Sequence, residues 1–150
     1  MSVNGPAFLW FFAIIGLQSP GSVPLRLHYG PEKTTLTGHL HSSWRYGPPG
    51  FGETPKTDPK VPFVFIELDR AADVFPNPGI SSDDPDAQAE KSVRKIQLWC
   101  MDNPNCKIVL SKLTACPVTI TGQLHHQSAP LEFYRVNMDV DDIRVTHCAQ

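Results

Sequence analysis

The chain is short of the features that mark most recognisable functions. Positive charge is never concentrated: the formal net charge is −2, both signs are scattered, and there is no run of Lys or Arg. That excludes the basic stripe a nucleic-acid-binding surface needs. No Gly-x-Ser-x-Gly elbow, phosphate-cradling glycine loop or His-Glu-x-x-His helix occurs, so the common nucleophile, nucleotide and metalloprotease motifs are absent. The acidic runs Asp83-Asp-Pro-Asp86 and Asp139-Val-Asp-Asp142 lack the glycine-punctuated loop and terminal Glu of a calcium hand, and read as solvated loops. Cysteine spacing offers no C-x2-C pair, which disfavours a structural zinc site.

Long apolar runs are also missing, with one short exception at the N-terminus. Ala7 to Leu17 is eleven residues without a charge, ending at Gln18-Ser-Pro-Gly21. A bilayer-spanning helix needs about 20 apolar residues, so this length fits an export signal better than a span. The small residues Ser19 and Gly21 suit a cleavage site, which places the cut between Gly21 and Ser22. The segment before the apolar run carries no Lys or Arg, and an uncleaved anchor is the competing reading. The expected organisation is a signal peptide over 1–21 and a single domain over 22–150, long enough for one core and too short for two.

All four cysteines, Cys100, Cys106, Cys116 and Cys148, fall in the C-terminal half of that domain. An even count in an exported chain favours disulfides. Three pairings are possible. The turn-forming Met-Asp-Asn-Pro-Asn between Cys100 and Cys106 favours joining those two, leaving Cys116 to tie down the tail through Cys148.

A short internal repeat carries the fold. Thr35-Leu-Thr-Gly-His-Leu-His41 and Thr119-Ile-Thr-Gly-Gln-Leu-His125 both alternate, with apolar residues and a glycine on one face and Thr, His or Gln on the other. Period two with β-branched residues predicts strands, and the central glycine predicts a sharp bend of the kind found at barrel corners. Pro62 to Asp69 reads as a buried strand. A helical turn followed by a strand over Val93 to Cys100 comes next. A short helix is expected over Lys107 to Leu113, then strands over Pro117 to His125 and Leu131 to Met138, with a short edge strand near Ile143 to Thr146. This order, three strands, a short helix and two strands, is that of a small five-stranded OB-like barrel, with a β-sandwich as the alternative.

Two sets of residues are candidates for a site. Ser42 to Lys60 reads as a long connection holding Trp44, Arg45, Tyr46, Phe51 and Glu53 among Gly and Pro. Aromatics on such a loop suit recognition or capping of the barrel mouth. His39 and His41 share one strand face, and His125 occupies the repeat position equivalent to His41. If those strands are neighbours, the three imidazoles meet on the outer surface and leave a position open for zinc-bound water. The bland alternative is a solvated Thr/His face.

The stretches Gly47 to Asp58, Phe65-Ile-Glu-Leu-Asp69, Val93 to Leu98 and Val118 to His126 together resemble a family of bacterial exported domains of unknown function. The resemblance covers most of the mature chain and implies an OB-like barrel of the bacterial envelope, sometimes attached to lysozyme-inhibitor-type modules. It implies no activity. The reading that results is a non-enzymatic binding module, periplasmic or secreted, without a cofactor, whose partner is a protein such as a toxin or lytic enzyme held in the manner of an inhibitor or immunity protein. The alternative is a zinc-dependent hydrolase built on His39, His41 and His125.

Overall fold

A computed structural model describes residues 23–100, 104, 106, 115–146 and 148. The expected signal segment over 1–21 and the expected helix over Lys107 to Leu113 lie outside the described residues. Six strands are present: β1 (Leu25–His28), β2 (Lys33–Tyr46), β3 (Lys60–Phe75), β4 (Glu90–Trp99), β5 (Pro117–His126) and β6 (Val136–Val145). A 3-10 turn over Pro85–Ala87 precedes β4, where a helical turn was expected, and Asp84 caps it by accepting from the Asp86 amide.

Alternation decides the inner surface. In β2 the buried positions are Leu36, Gly38 and Leu40, and in β5 they are Val118, Ile120, Gly122, Leu124 and His126. Those faces meet Ile66 and Leu68 of β3, Ile96 and Leu98 of β4 and Met138 of β6 in one core cluster, which Tyr29 completes. Within a single sheet, apolar side chains on one face of every strand can cover one another when the sheet curls onto itself.

The sheet does so. The neighbours run β3, β2, β5, β6, β4, and β4 pairs back onto β3, so five strands form a ring while β1 lies parallel to the end of β3. Within the ring the neighbours are antiparallel except β4 and β6, where Gln97, Leu98 and Trp99 run alongside Asn137, Met138 and Asp139. The strands are staggered. Ser42 pairs with Val64, Val64 with Leu98, Leu98 with Met138 and Met138 with Leu124; Leu124 lies one step past the Gln123–Lys33 pair, so the circuit returns to β2 ten residues earlier, beside Glu32. A stagger of this kind is what strand tilt in a closed sheet requires.

The two repeat strands lie side by side, antiparallel, with Leu36 opposite Ile120 and the hydroxyls of Thr35 and Thr121 hydrogen-bonded at 2.9 Å. Both glycines lie where the backbone of another strand comes close. A Cβ on Gly38 would collide with the Glu67 carbonyl, and one on Gly122 with the Asp139 carbonyl, beside the irregularity that separates Thr121 from Gly122.

Cys100 is joined to Cys106 and Cys116 to Cys148, the pairing favoured from the loop between the first two. Two disulfides point to an oxidising, extracytoplasmic environment. No helix among the described residues is long and apolar enough to cross a membrane.

Several expectations are corrected. Leu131 to Arg135 is not strand: the last strand runs Val136–Val145, absorbing both the expected edge strand and the acidic run Asp139 to Asp142. The strand begun at Thr35 continues to Tyr46, so Trp44, Arg45 and Tyr46 belong to β2 and the connection shrinks to residues 47–59. The short parallel strand β1 was not anticipated.

Candidate functional site

The first wall of the site is the far end of the β2–β3 ribbon. Leu40 still exchanges backbone hydrogen bonds with Ala115 and Cys116, but the paired register with β5 ends at His39 and Pro117. Residues 41–46 continue against β3, carrying Trp44, Arg45 and Tyr46 past the paired end of β5.

The loop that follows is tied at its base by the Gly47 amide donating to the Pro59 carbonyl at 2.9 Å. Its centre is tied by Asp58, a buried carboxylate that accepts from the amides of Gly52 and Thr54 at 2.8 and 3.0 Å. Gly50 makes room for it, because a Cβ there would stand 2.7 Å from each carboxylate oxygen. At the apex Phe51 has φ 49°, and its ring remains 47% exposed. A bulky side chain in the left-handed region carries a strain that the surrounding bonds must hold.

The opposite wall is the connection over residues 127–135. Buried Glu132 accepts from the amides of Ser128 and of Ala129, the latter at 2.9 Å, and its own carbonyl accepts from the Gln127 side chain. Gln97 of β4, fully buried, accepts from the Phe133 amide at 2.6 Å and donates to the Leu131 carbonyl at 3.0 Å. Buried Asn137 donates to the Tyr134 carbonyl and accepts from the Trp99 indole. Beneath this backbone the Phe133 ring packs on Phe63 with centroids 5.0 Å apart, and Tyr134 packs on Phe65 at 5.3 Å.

Between these walls lies a groove of about 580 Å³, lined by Trp44, Arg45, Tyr46 and Phe51 on one side and Gln127, Pro130, Glu132 and Phe133 on the other. Trp44 is 49% exposed, meets Tyr46 edge-on at 5.4 Å and carries the Lys60 ammonium 4.1 Å from its ring centroid. Rigid walls, exposed aromatics and a few polar groups are the ingredients of a recognition site.

The structure thus gathers four of the five loop residues singled out from sequence. Glu53 sits on the same loop, its amide bonded to the Gly50 carbonyl, and does not line the groove. The second wall was missed, because Leu131 to Met138 alternates like a strand. The available signal was Ser128-Ala-Pro-Leu-Glu132, a proline turn followed by an acid that can reach back to cap it.

The histidines do not assemble. His39 and His41 do share the outer face of β2, where His39 faces Asp69 at 3.4 Å, and His41 faces Glu67 at 3.6 Å and stacks on Phe65. His39 lies opposite Pro117, whereas His125 lies beyond the Gln123–Lys33 pair, roughly 26 Å of strand away. There His125 stands between Glu132 at 3.8 Å and Asp139 at 3.7 Å. Among the described residues no group of three or more His, Cys, Asp or Glu side chains is arranged to hold a metal ion.

His126 belongs to a separate buried cluster. Its Nε2 meets Glu90 at 3.1 Å, Arg135 meets the same carboxylate at 3.3 Å, and its ring stands edge-on to Tyr29. Burial, with the charges of Glu90 and Asp86 adding to it, holds the Tyr29 phenol far above its ordinary range, so it stays protonated.

No protein-family model matches the chain. Nor does a search of curated proteins find a significant match. The resemblance noted in the sequence therefore stands at the level of architecture: a mainly β chain whose strands close into a ring, fastened by two disulfides.

Proposed function

We propose that this chain is a non-enzymatic binding module of OB-like architecture that works outside the cytosol, in the bacterial envelope or periplasm or as a secreted protein, and holds a protein partner in the groove between its two pinned loops. The OB-like assignment is supported by the ring order, by the parallel β4–β6 pair and by the ten-residue stagger. In such barrels ligands are held beside the loops that follow the first and fourth ring strands, which here are the walls of the groove.

The observation that carries the reading is the pairing of two exposed aromatics, Trp44 and Phe51, with walls whose backbone is fixed by the buried groups Asp58, Glu132 and Gln97. A fixed surface loses little freedom on binding, so its apolar contacts count more fully toward affinity. An inhibitor or immunity-type protein that masks a toxic or lytic enzyme fits this design. Hydrolysis at a His39, His41 and His125 zinc centre does not draw the same support, since the register separates those side chains.

The test is capture from envelope extract by the disulfide-intact protein, compared with a folded Trp44→Ala plus Phe51→Ala variant. The expected result is a specific partner retained by the first and lost by the second. Equal capture by both would remove the groove from the proposal.

A further inference from the structure

We infer that the groove takes an acidic peptide segment bearing an apolar side chain, a specificity that rests on the groove reading above. Charge complementarity carries the inference. Arg45 lines the groove, Lys60 lies over Trp44 at its edge, and Lys56 sits in the adjoining loop; none of the three has a carboxylate partner among the described residues. Elsewhere on the barrel Lys33, Lys91, Arg135 and Arg144 are each matched to an acid, while Arg26, Arg70, Arg94 and Lys95 have no ion pair among the described residues but lie away from the groove lining.

The acids on the groove walls are already engaged. Asp58 is taken by the Gly52 and Thr54 amides, and Glu132 by those of Ser128 and Ala129. In formal charge the three cations are offset by Glu53, Asp58 and Glu132, but the last two are buried and spend their oxygens on backbone amides, so the cations exposed around the mouth face one exposed acid, Glu53. A partner carboxylate reaching Arg45 would find a planar fork of donors with no competing acid. Its apolar neighbour would enter between Phe51, Pro130 and Phe133. A basic segment would meet unpaired like charge at the same place.

The experiment is calorimetric titration of the full disulfide-bonded chain with a synthetic peptide of Asp and Glu around one Phe. Its Asn/Gln counterpart, single-stranded DNA and polygalacturonate are titrated in parallel. The acidic peptide alone is expected to bind, with affinity falling as salt rises. An Arg45→Glu plus Lys60→Glu variant is expected to bind it about tenfold or more weakly, while Arg94→Glu, an exposed cation of β4, leaves binding unchanged. Circular dichroism checks that each variant is folded, and Arg45→Gln with Lys60→Gln serves if the reversal is not.

Equal binding of the amide peptide, preference for DNA or the polyuronate, or no binding of the acidic peptide would each overturn the inference. A natural partner lost to the Trp44 and Phe51 variant but retained by the charge-reversed one would overturn the acidic specificity and leave the groove standing. Retention by both would remove the groove itself.

Discussion

Gly38 and Gly122 occupy matching places in two neighbouring antiparallel strands, each two residues beyond the Leu36–Ile120 pair, and each lies flat against a carbonyl oxygen of the next strand round the ring. Glu67 supplies that oxygen for the first and Asp139 for the second. The internal repeat is therefore a repeat of close backbone approaches, and the glycine is its most constrained residue.

Replacing either glycine by alanine is expected to cost about 3 kcal/mol or more, because the obstructing atom is backbone and cannot swing aside. Gly30 provides the contrast. An added Cβ there would meet its nearest atom at an ordinary 3.6 Å, so Gly30→Ala should cost less than about 1 kcal/mol. Urea unfolding of the disulfide-intact variants decides it. Similar midpoints for Gly38→Ala and Gly30→Ala would mean that this close approach does not constrain the barrel.

Gln97→Leu tests how the second wall is held. The substitution keeps the bulk and removes the side chain that bonds both the Phe133 amide and the Leu131 carbonyl. A loss of about 2 kcal/mol is expected, with faster hydrogen exchange at Phe133 and its neighbours than elsewhere in the barrel. Unchanged exchange at Phe133 would show that the aromatic packing on Phe63 holds the loop by itself.

These elements also show where sequence reasoning reached and where it stopped. Alternation in Thr35 to His41 and Thr119 to His125 gave the strand and the buried face, since both are local properties of the backbone. Face was legible for His39, His41 and His125; height was not. Strand direction is invisible to a period-two pattern: β2 and β5 run antiparallel with Leu36 opposite Ile120, so equivalent positions of the repeat fall at opposite ends of the pair and His125 lies far from His39. Leu131 to Arg135 failed for a related reason. Its backbone groups are claimed by Gln97 and Asn137, residues distant or buried enough that Phe133 and Tyr134 look locally like strand. The aromatics of the groove were legible because Gly and Pro surround them, though their place at a strand end was not.

Acid stability should depend on Asp73. Its carboxyl lies below the usual carboxylate range, held there first by the Ser92 amide at 2.9 Å and further by Lys91. A carboxyl whose folded value is depressed contributes stability that is present above its unfolded value, about 4, and lost as pH falls through the folded one. Asp73→Asn should therefore lower stability at neutral pH and flatten the decline below about pH 4. The same bond holds Ser92 at φ 54°, so Ser92→Gly should keep the Asp73 contact and be neutral or stabilising by up to about 1 kcal/mol. Thermal melts across the acid range check both; an unchanged pH profile for Asp73→Asn would remove Asp73 from the account.

The two disulfides should differ in weight. Cys100 and Cys106 are six residues apart and Cys116 and Cys148 thirty-two, so closing the second loop removes more freedom from the unfolded chain. On chain entropy alone the difference is about 1.5 kcal/mol. Cys116→Ser with Cys148→Ser should thus destabilise more than the equivalent change at Cys100 and Cys106. The sulfur environment opposes that ranking, because Cys106 is fully buried in the core cluster and a serine hydroxyl there would need a partner. Cys100→Ala with Cys106→Ala avoids the hydroxyl and isolates the cross-link, and it is the pair to compare with Cys116→Ala and Cys148→Ala in urea. If the alanine pairs lose equal stability, loop closure is not what these bonds contribute, and packing of the Cys106 sulfur against the core is the larger effect.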